Sequence, residues 1–474
     1  MPISQLKFEG KPRSEKASHT ASYLLSKYDA TRDASLYGAG TRPRGLSRAD
    51  DIPSLISSST ADPATDVDDP ATRRINIING YAYETWETIP ATKEDFLAPR
   101  GYYRGVNEIL DQPRYANGIQ VVGKVTSPGG TAPWASTTLE PGAVWGLGTN
   151  YTVVSFVTYG SVFYINPPSY GSIGAIFFVN GEPVVPTALG GNMATPAGLP
   201  FVMKPPGANN WVKVKFPTAA RRVIHILQMD TTLTATIKIP ATDIIHGNPP
   251  KVRVGLFGDS FTDHIISDSS ASIRSDSWAH VFFTEYGLDL ELLNFGLGGS
   301  GFVGNGNNLT MAGTPTSEYV NGRVASHRKA LRLATPGLDL DMVLCLGCHN
   351  DDVTLPEFKS EVRAFWEEAR EMHPNAILIQ AGTNASPAQI SSGLDLVNEQ
   401  ALAEACAEVG VKHIPMQAGV SRLFTGTGKQ SAPNGSGNTD FLTGADGVHP
   451  TIAGHTVIGK YLAGRVAEYL RELA

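Results

Sequence analysis

Three successive patterns of apolar and polar positions divide the chain. Through residue 73 few apolar positions recur at any period; Ser, Thr, Asp, Arg and Pro dominate, and ADPATDVDDPAT forms an acidic stretch. Such a segment has too little periodic apolar surface to build a core. It reads as an extended or anchoring arm, with a disordered tail as the alternative. A short helix over 21–27 (ASYLLSK) fits inside it, ordered only through a partner.

From 74 to 247 the pattern shortens to β-rich runs, YTVVSFV, SVFYI, GAIFFVNGEPV, WVKVKF, RRVIHILQM and TATIKI, separated by Gly, Pro and Asn. WVKVKF alternates with period two, as a half-buried strand does, whereas AIFFV is continuous and suits a core strand. Asn180 and Gly181, between AIFFV and EPVV, form a hairpin signal because both tolerate the positive φ of a two-residue turn. These spacings predict an all-β sandwich, jelly-roll-like.

After the NPP break at 248–250, strand-like runs VRVGLFG, LELLNFG, MVLCLG, AILIQAG and KHIPM alternate with helix-like segments. That alternation predicts an α/β region over 248–474 with a parallel sheet covered by crossover helices. One helix places Leu355, Phe358, Val362, Phe365, Ala369 and Met372 at spacings of three and four. The last segment does the same with Ile458, Leu462, Val466, Tyr469 and Leu473.

Composition narrows the function classes. At 474 residues the chain holds two or three units, and 41% hydrophobic with 18% charged residues suits a globular protein. Lys plus Arg total 38 against 45 Asp plus Glu, a formal charge of −7, so the basic footprint of a nucleic-acid binder is absent. No stretch reaches the ~18 uninterrupted apolar residues of a membrane span, and residues 1–16 lack the apolar core of a signal peptide. The expectation is a cytoplasmic or virion-associated protein. Three cysteines are too few for a disulfide framework.

In open parallel sheets the reacting groups gather at the carboxyl ends of the strands. The first run ends in GLFGDSFTD, which puts Ser260 on a strand-to-helix turn; the second ends in NFGLGGSG, whose backbone N–H groups can face an anion; the third ends in GCHND, where the Asn350 amide can donate to the same point. Near the end of the chain DGVHP sets Asp446 three residues before His449. A serine hydroxyl needs a base to take its proton, and the imidazole needs a carboxylate to fix its tautomer. Pro450 suits the first position of the final helix and would hold His449 on a rigid element.

Together these blocks resemble the SGNH (GDSL-like) hydrolases, over roughly 251–474 and in family order. The resemblance implies a three-layer α/β/α flavodoxin-like domain with no metal or organic cofactor. It also implies a triad of Ser260, Asp446 and His449, and an oxyanion hole made by the N–H groups of Ser260 and Gly299 and the side chain of Asn350, with Gly298 the competitor for the glycine. One departure stands out: the third block commonly reads Gly-x-Asn-Asp, and here Cys348 and His349 separate Gly347 from Asn350.

Taken singly, each block has a plainer reading. GDS fits an ordinary turn capped by Asp259 or Ser260, and Asn350-Asp351 fits an Asx turn. NFGLGGSG lacks the lysine of a phosphate loop, and the sequence around Ser260 lacks the G-x-S-x-G of the α/β-hydrolases. CLGCH at 345–349 satisfies a haem-attachment pattern but lies in a buried strand, and zinc would need a second cysteine pair. Cys345 is simplest as a core residue, with His349 at the mouth of the site; His225 has no partner motif.

The expected activity is hydrolysis of a short acyl ester, an O-acetyl group on a polysaccharide, because the loops beside the blocks are small and polar. A lipid ester is the alternative substrate. The sandwich is either carbohydrate-binding, through aromatics such as Trp145, Tyr164 or Trp211, or structural. The whole architecture is similar to bacteriophage tail-associated esterases, which makes a virion tail, or a homo-oligomer formed through residues 1–73, the candidate partner.

Overall fold

The computed structural model describes residues 15–36, 152–166, 175–180, 211–228, 234–240, 242–248, 252–262, 277–286, 290–294, 340–351, 353–418 and 422–474. Shorter pieces lie at 54–59, 73–78, 81–83, 138–139, 182–183, 202–203, 296, 301–303, 310–311, 327–328 and 331.

Five of the predicted runs form one parallel sheet: β1 (Val252–Gly258), β2 (Leu290–Asn294), β3 (Met342–Leu346), β4 (Ile377–Ala381) and β5 (Lys412–Ile414). Their order is β2-β1-β3-β4-β5, with Val254 opposite Met342 and Leu344 opposite Ile379. Sheet order reverses direction at β1, which puts the switch point of the sheet at the carboxyl ends of β1 and β3. Continuous apolar runs form these strands because both faces are covered, and β1, β3 and β4 are buried along their whole length.

Alternate side chains feed two cores. On one face Val254, Leu256, Leu344 and Ile379 meet α2 (Trp278–Glu285) and the final helix, whose Ile458, Leu462 and Val466 point inward. On the other, Phe257, Val343 and Cys345 meet Phe358, Val362 and Phe365 of α3 (Leu355–Met372) and Leu402 and Ala405 of α5 (Leu394–Val409). Between them α4 (Pro387–Ser392) opens with a capping box in which Ser386 and Gln389 exchange bonds. A four-residue α6 (Thr439–Leu442) precedes α7 (Ile452–Leu473). The start of α7 differs from expectation: Thr451, not Pro450, is the boundary. Its hydroxyl accepts the Gly454 N–H, a bond proline could not supply, and Pro450 sits outside the helix.

The N-terminal segment also departs from an extended arm. Helix α1 spans Glu15–Leu36, and its Ala21, Leu24, Leu25 and Tyr28 are buried in the first of the two cores, against α7 and α2. Tyr28 and Tyr286 rings lie 5.4 Å apart, Lys16 pairs with Asp341 at 3.2 Å, and Arg471 pairs with Asp29. The helix therefore finds its partner within the chain. Its buried positions recur at three and four residues, but the Ser, Thr, Lys and Asp between them thin the stripe.

Upstream of β1 lie two antiparallel sheets. One runs in the order Leu55–Ser59, Trp211–Lys215, Val162–Asn166, Thr234–Ile239, Arg73–Ile78, Tyr81–Tyr83; the other runs Ile245–Gly247, Thr152–Thr158, Arg222–Gln228, Ala175–Val179, Glu182–Pro183. Phe163 of the first meets Phe156 and Phe177 of the second, with ring centroids 5.4 and 6.2 Å apart. Asn180 takes the expected positive φ of 51° at the turn after AIFFV. Tyr164 is buried, so it offers no exposed ring; Trp145 lies outside the described residues, and of Trp211 only the backbone is described. His225 is buried and satisfied by Ser155, 3.0 Å from its Nδ1.

Candidate active site

The turn that carries Ser260 is built by close backbone approach. Gly258 ends β1 at φ +156°, where a Cβ would come within 1.9 Å of the Leu346 carbonyl oxygen, so only glycine lets β1 lie this near the end of β3. The chain then bends through Asp259 and Ser260. Thr262 donates its hydroxyl to the Leu346 carbonyl at 2.9 Å, and the Trp278 indole donates to the Phe261 carbonyl at 3.0 Å. Ser260 is thereby fixed at the carboxyl end of β1, where the sequence predicts it.

Asp446 and His449 meet as the spacing predicts. The Asp446 Oδ2 lies 2.6 Å from His449 Nδ1, while Oδ1 accepts the N–H groups of Val448 and His449 at 3.0 and 3.1 Å. Gly447 supplies the positive φ, +75°, that closes this small loop, and Gly444 N–H donates to the His449 carbonyl at 2.8 Å. Partial burial raises the Asp446 carboxyl, but the Val448 N–H and the His449 ring outweigh it and hold the group below its ordinary value. The His449 ring lies 5.8 Å from the ring of Phe261, the residue after Ser260, which brings the imidazole to the Ser260 turn.

Asn350 is half-buried on the turn after β3. Gly299, and its competitor Gly298, lie outside the described residues; just after them Phe302 and Val303 direct their N–H groups to the Asp351 carboxylate at 3.1 and 2.7 Å. A Cβ on Gly301 would stand 2.4 Å from that carboxylate, which explains the glycine.

Two carboxylates that tie the site's loops together look, in the sequence, like turn formers only. Asp259 accepts the Phe261 N–H at 3.0 Å, as a cap would, and also the N–H groups of Cys348 and His349 at 3.4 and 3.1 Å. Asp351 reaches the glycine block as described. The long-range bonds depend on sheet order, so no local signal marks them. Glu399 plays a similar part further along the edge: buried, it takes the Thr383 N–H at 3.0 Å and the Gln417 N–H at 3.1 Å, joining the segments after β4 and β5.

Cys345 and Cys348 are both buried free thiols, and burial pushes each well above the ordinary thiol value, which fits core packing. Among the described residues no group of three or more His, Cys, Asp or Glu is placed to hold a metal ion, and no helix is long and apolar enough to cross a membrane.

Residues 256–457 match the model of the GDSL-like Lipase/Acylhydrolase family. No curated protein matches the chain in sequence. Solved structures similar to it include a carbohydrate esterase family 2 enzyme with a carbohydrate binding domain from Corynascus thermopiles (Myceliophthora fergusii), 13% identical over 68% of this chain and 94% of that one, with a TM-score of 0.44. A family two carbohydrate esterase from Cellvibrio japonicus is 12% identical over 69% and 92%, with a TM-score of 0.43. An acetyl xylan esterase from the rumen bacterium Butyrivibrio proteoclasticus is 13% identical over 69% and 92%, with a TM-score of 0.37. The matched segment begins within β1 and ends within α7, so it contains Ser260, Asn350 and the paired Asp446 and His449. Residues 256–457 are a GDSL-like acylhydrolase domain, and the protein is a carboxylic ester hydrolase.

Proposed function

We propose that the protein is a serine esterase that removes short acyl groups, O-acetyl above all, from a polysaccharide. In this reading His449 takes the proton of Ser260, whose oxygen attacks the ester carbonyl and expels the sugar alcohol, protonated by the same imidazole. Water, activated by His449, then releases the acid. The negative oxygen of each tetrahedral intermediate is met by the N–H groups of Ser260 and Gly299 and by the Asn350 amide. The observation that carries the reading is the 2.6 Å Asp446–His449 pair standing beside the Ser260 turn.

The substrate class rests on what walls the triad. The segment 427–437 is almost entirely Gly, Ser, Thr, Asn, Gln and Lys, and it is strapped to the catalytic loop: Gln430 N–H donates to the Thr443 carbonyl at 2.9 Å and the Ser431 hydroxyl to the Ala445 carbonyl at 3.1 Å. Such a wall offers hydrogen bonds to hydroxyls and little apolar area to an alkyl tail. The upstream sheets are read as a jelly-roll-like sandwich that accompanies the enzyme.

Ser260→Ala is expected to abolish hydrolysis of a short-chain ester and leave the thermal transition in place. Across two-, four-, eight- and twelve-carbon esters kcat/KM should fall, and acetate should be released from an acetylated glycan. Each buried CH₂ contributes about 0.8 kcal/mol, so activity climbing to the longest chain with no acetate from any glycan would replace this reading with a lipid esterase.

A further inference from the structure

Cys348 adopts φ +121°, a conformation L-residues rarely hold, and does so in the loop that carries Asn350. An outlier of this kind persists only where its surroundings over-determine it. Here they do. Gly347 lies close against its neighbours, since a Cβ on it would stand 2.9 Å from His327 Nε2 and 3.2 Å from the Gly258 Cα; the His349 carbonyl accepts the Gln389 amide at 3.2 Å; and the N–H groups of Cys348 and His349 both point at Asp259. Asp259 is itself fully buried and also fixes the Ser260 turn through the Phe261 N–H. One carboxylate thus joins the peptide after the nucleophile to the peptides before Asn350.

We infer that Asp259 is the positioning residue of the oxyanion site: its carboxylate holds Cys348 in the positive-φ conformation and so sets Asn350 against the Ser260 turn. The inference rests on the reading of Asn350 as an oxyanion donor. An amide in place of the carboxylate would present N–H to at least one of the three N–H donors, releasing the loop while preserving side-chain size. Glycine at 348 has no Cβ penalty at this φ, so it would let the loop keep its shape with less help from Asp259.

The test is a set of variants read by kcat and KM on one short-chain ester. Asn350→Ala is expected to lose on the order of 10²-fold in kcat. Asp259→Asn should lose at least ~10-fold in kcat with KM within about twofold, the pattern of a group acting in the transition state. The double variant should be no worse than Asn350→Ala within about threefold, because both changes remove one interaction. Adding Cys348→Gly to Asp259→Asn should restore part of the loss.

Losses that multiply in the double variant, or no rescue by glycine, would overturn the inference alone. An Asn350→Ala enzyme with unchanged kcat would remove the oxyanion reading and this inference with it. Should Asp259→Asn not fold, the wild-type protein answers instead: with ¹⁵N-histidine labelling, the His349 amide, assigned by its loss in His349→Gln, is expected to be protected from hydrogen exchange. Exchange at the rate of an exposed loop amide would overturn the inference.

Discussion

The two halves of the catalytic edge are held by different means. On the side of Ser260, the proposed nucleophile, and Asn350, loops that follow different strands are tied to one another by buried carboxylates, Asp259 across β1 and β3 and Asp351 across the glycine block and β3. On the side of His449, the proposed base, the carboxylate works locally: Asp446 bonds groups two and three residues away, and its side chain is 41% exposed. The difference follows from the tasks. Oxyanion donors work by not moving, and each must hold its place relative to atoms supplied by another strand. A base must exchange protons with serine, leaving group and water, so it stands at the solvent boundary, where a local carboxylate suffices to fix its tautomer.

The largest effect that could break this comparison lies in the 443–450 loop. His449→Ala should lower kcat by on the order of 10⁵–10⁶, because in the proposed mechanism it removes the base that transfers the proton, while Asp446→Asn should cost about 10⁴ by disturbing tautomer and charge. Both should leave the thermal transition within about 2 °C of the parent, since a half-exposed surface pair contributes little to stability. Equal losses of activity, or a large drop in Tm for Asp446→Asn, would place this loop among the structural staples.

A smaller and opposite signature is expected where α1 meets the sheet's helical cover. Leu24 is buried in the core between α7 and α2, and Leu24→Ala should destabilise the protein by about 2–4 kcal/mol while leaving kcat unchanged well below Tm. Chemical denaturation alongside ester assays would measure both. A truncation removing α1 should show the same split more strongly, with activity retained by whatever fraction stays folded. Loss of kcat in folded Leu24→Ala protein would tie α1 to the site.

What was legible in the sequence was local. The five apolar runs became the five parallel strands, and α3 and α7 bury most of their periodic stripes, because period and burial are properties of short segments. The Asp446–His449 pair was legible for the same reason, three residues being one small loop. What could not be read were the bonds made across strands: that Asp259 serves Cys348 and His349 some 90 positions later depends on β1 lying beside β3. Helix α1 was legible only in part, since its narrow apolar stripe acquires meaning from an α7 more than 400 residues away. The Cys348 conformation has no sequence signal, because cysteine ordinarily avoids that region.

The smallest effect separates the two halves by pH. His327 is buried beneath the carboxyl end of β3, its ring centroid 4.8 Å from that of Phe302, and desolvation lowers its pKa to about 3. An unfolded histidine titrates near ~6.5, so between these values the unfolded chain holds a proton that the folded one refuses. The stability this residue contributes is complete above pH ~6.5 and declines as pH falls toward ~3, with a slope of at most ~1.4 kcal/mol per pH unit. Asp446 acts with the same sign in a lower window, its depressed carboxyl favouring the fold above about pH 4 and losing that benefit only as pH falls through its lower folded value. Replacing His327 with Phe keeps an aromatic ring beside Phe302 and removes the titration. Urea midpoints measured from pH 7 to pH 4.5 should therefore fall less steeply for His327→Phe than for the parent, while Asp446→Asn leaves that range unchanged. A parent slope that survives His327→Phe would mean that the acid sensitivity of this range belongs to another buried histidine, and the stapled half of the site would no longer be the part that yields first as pH falls.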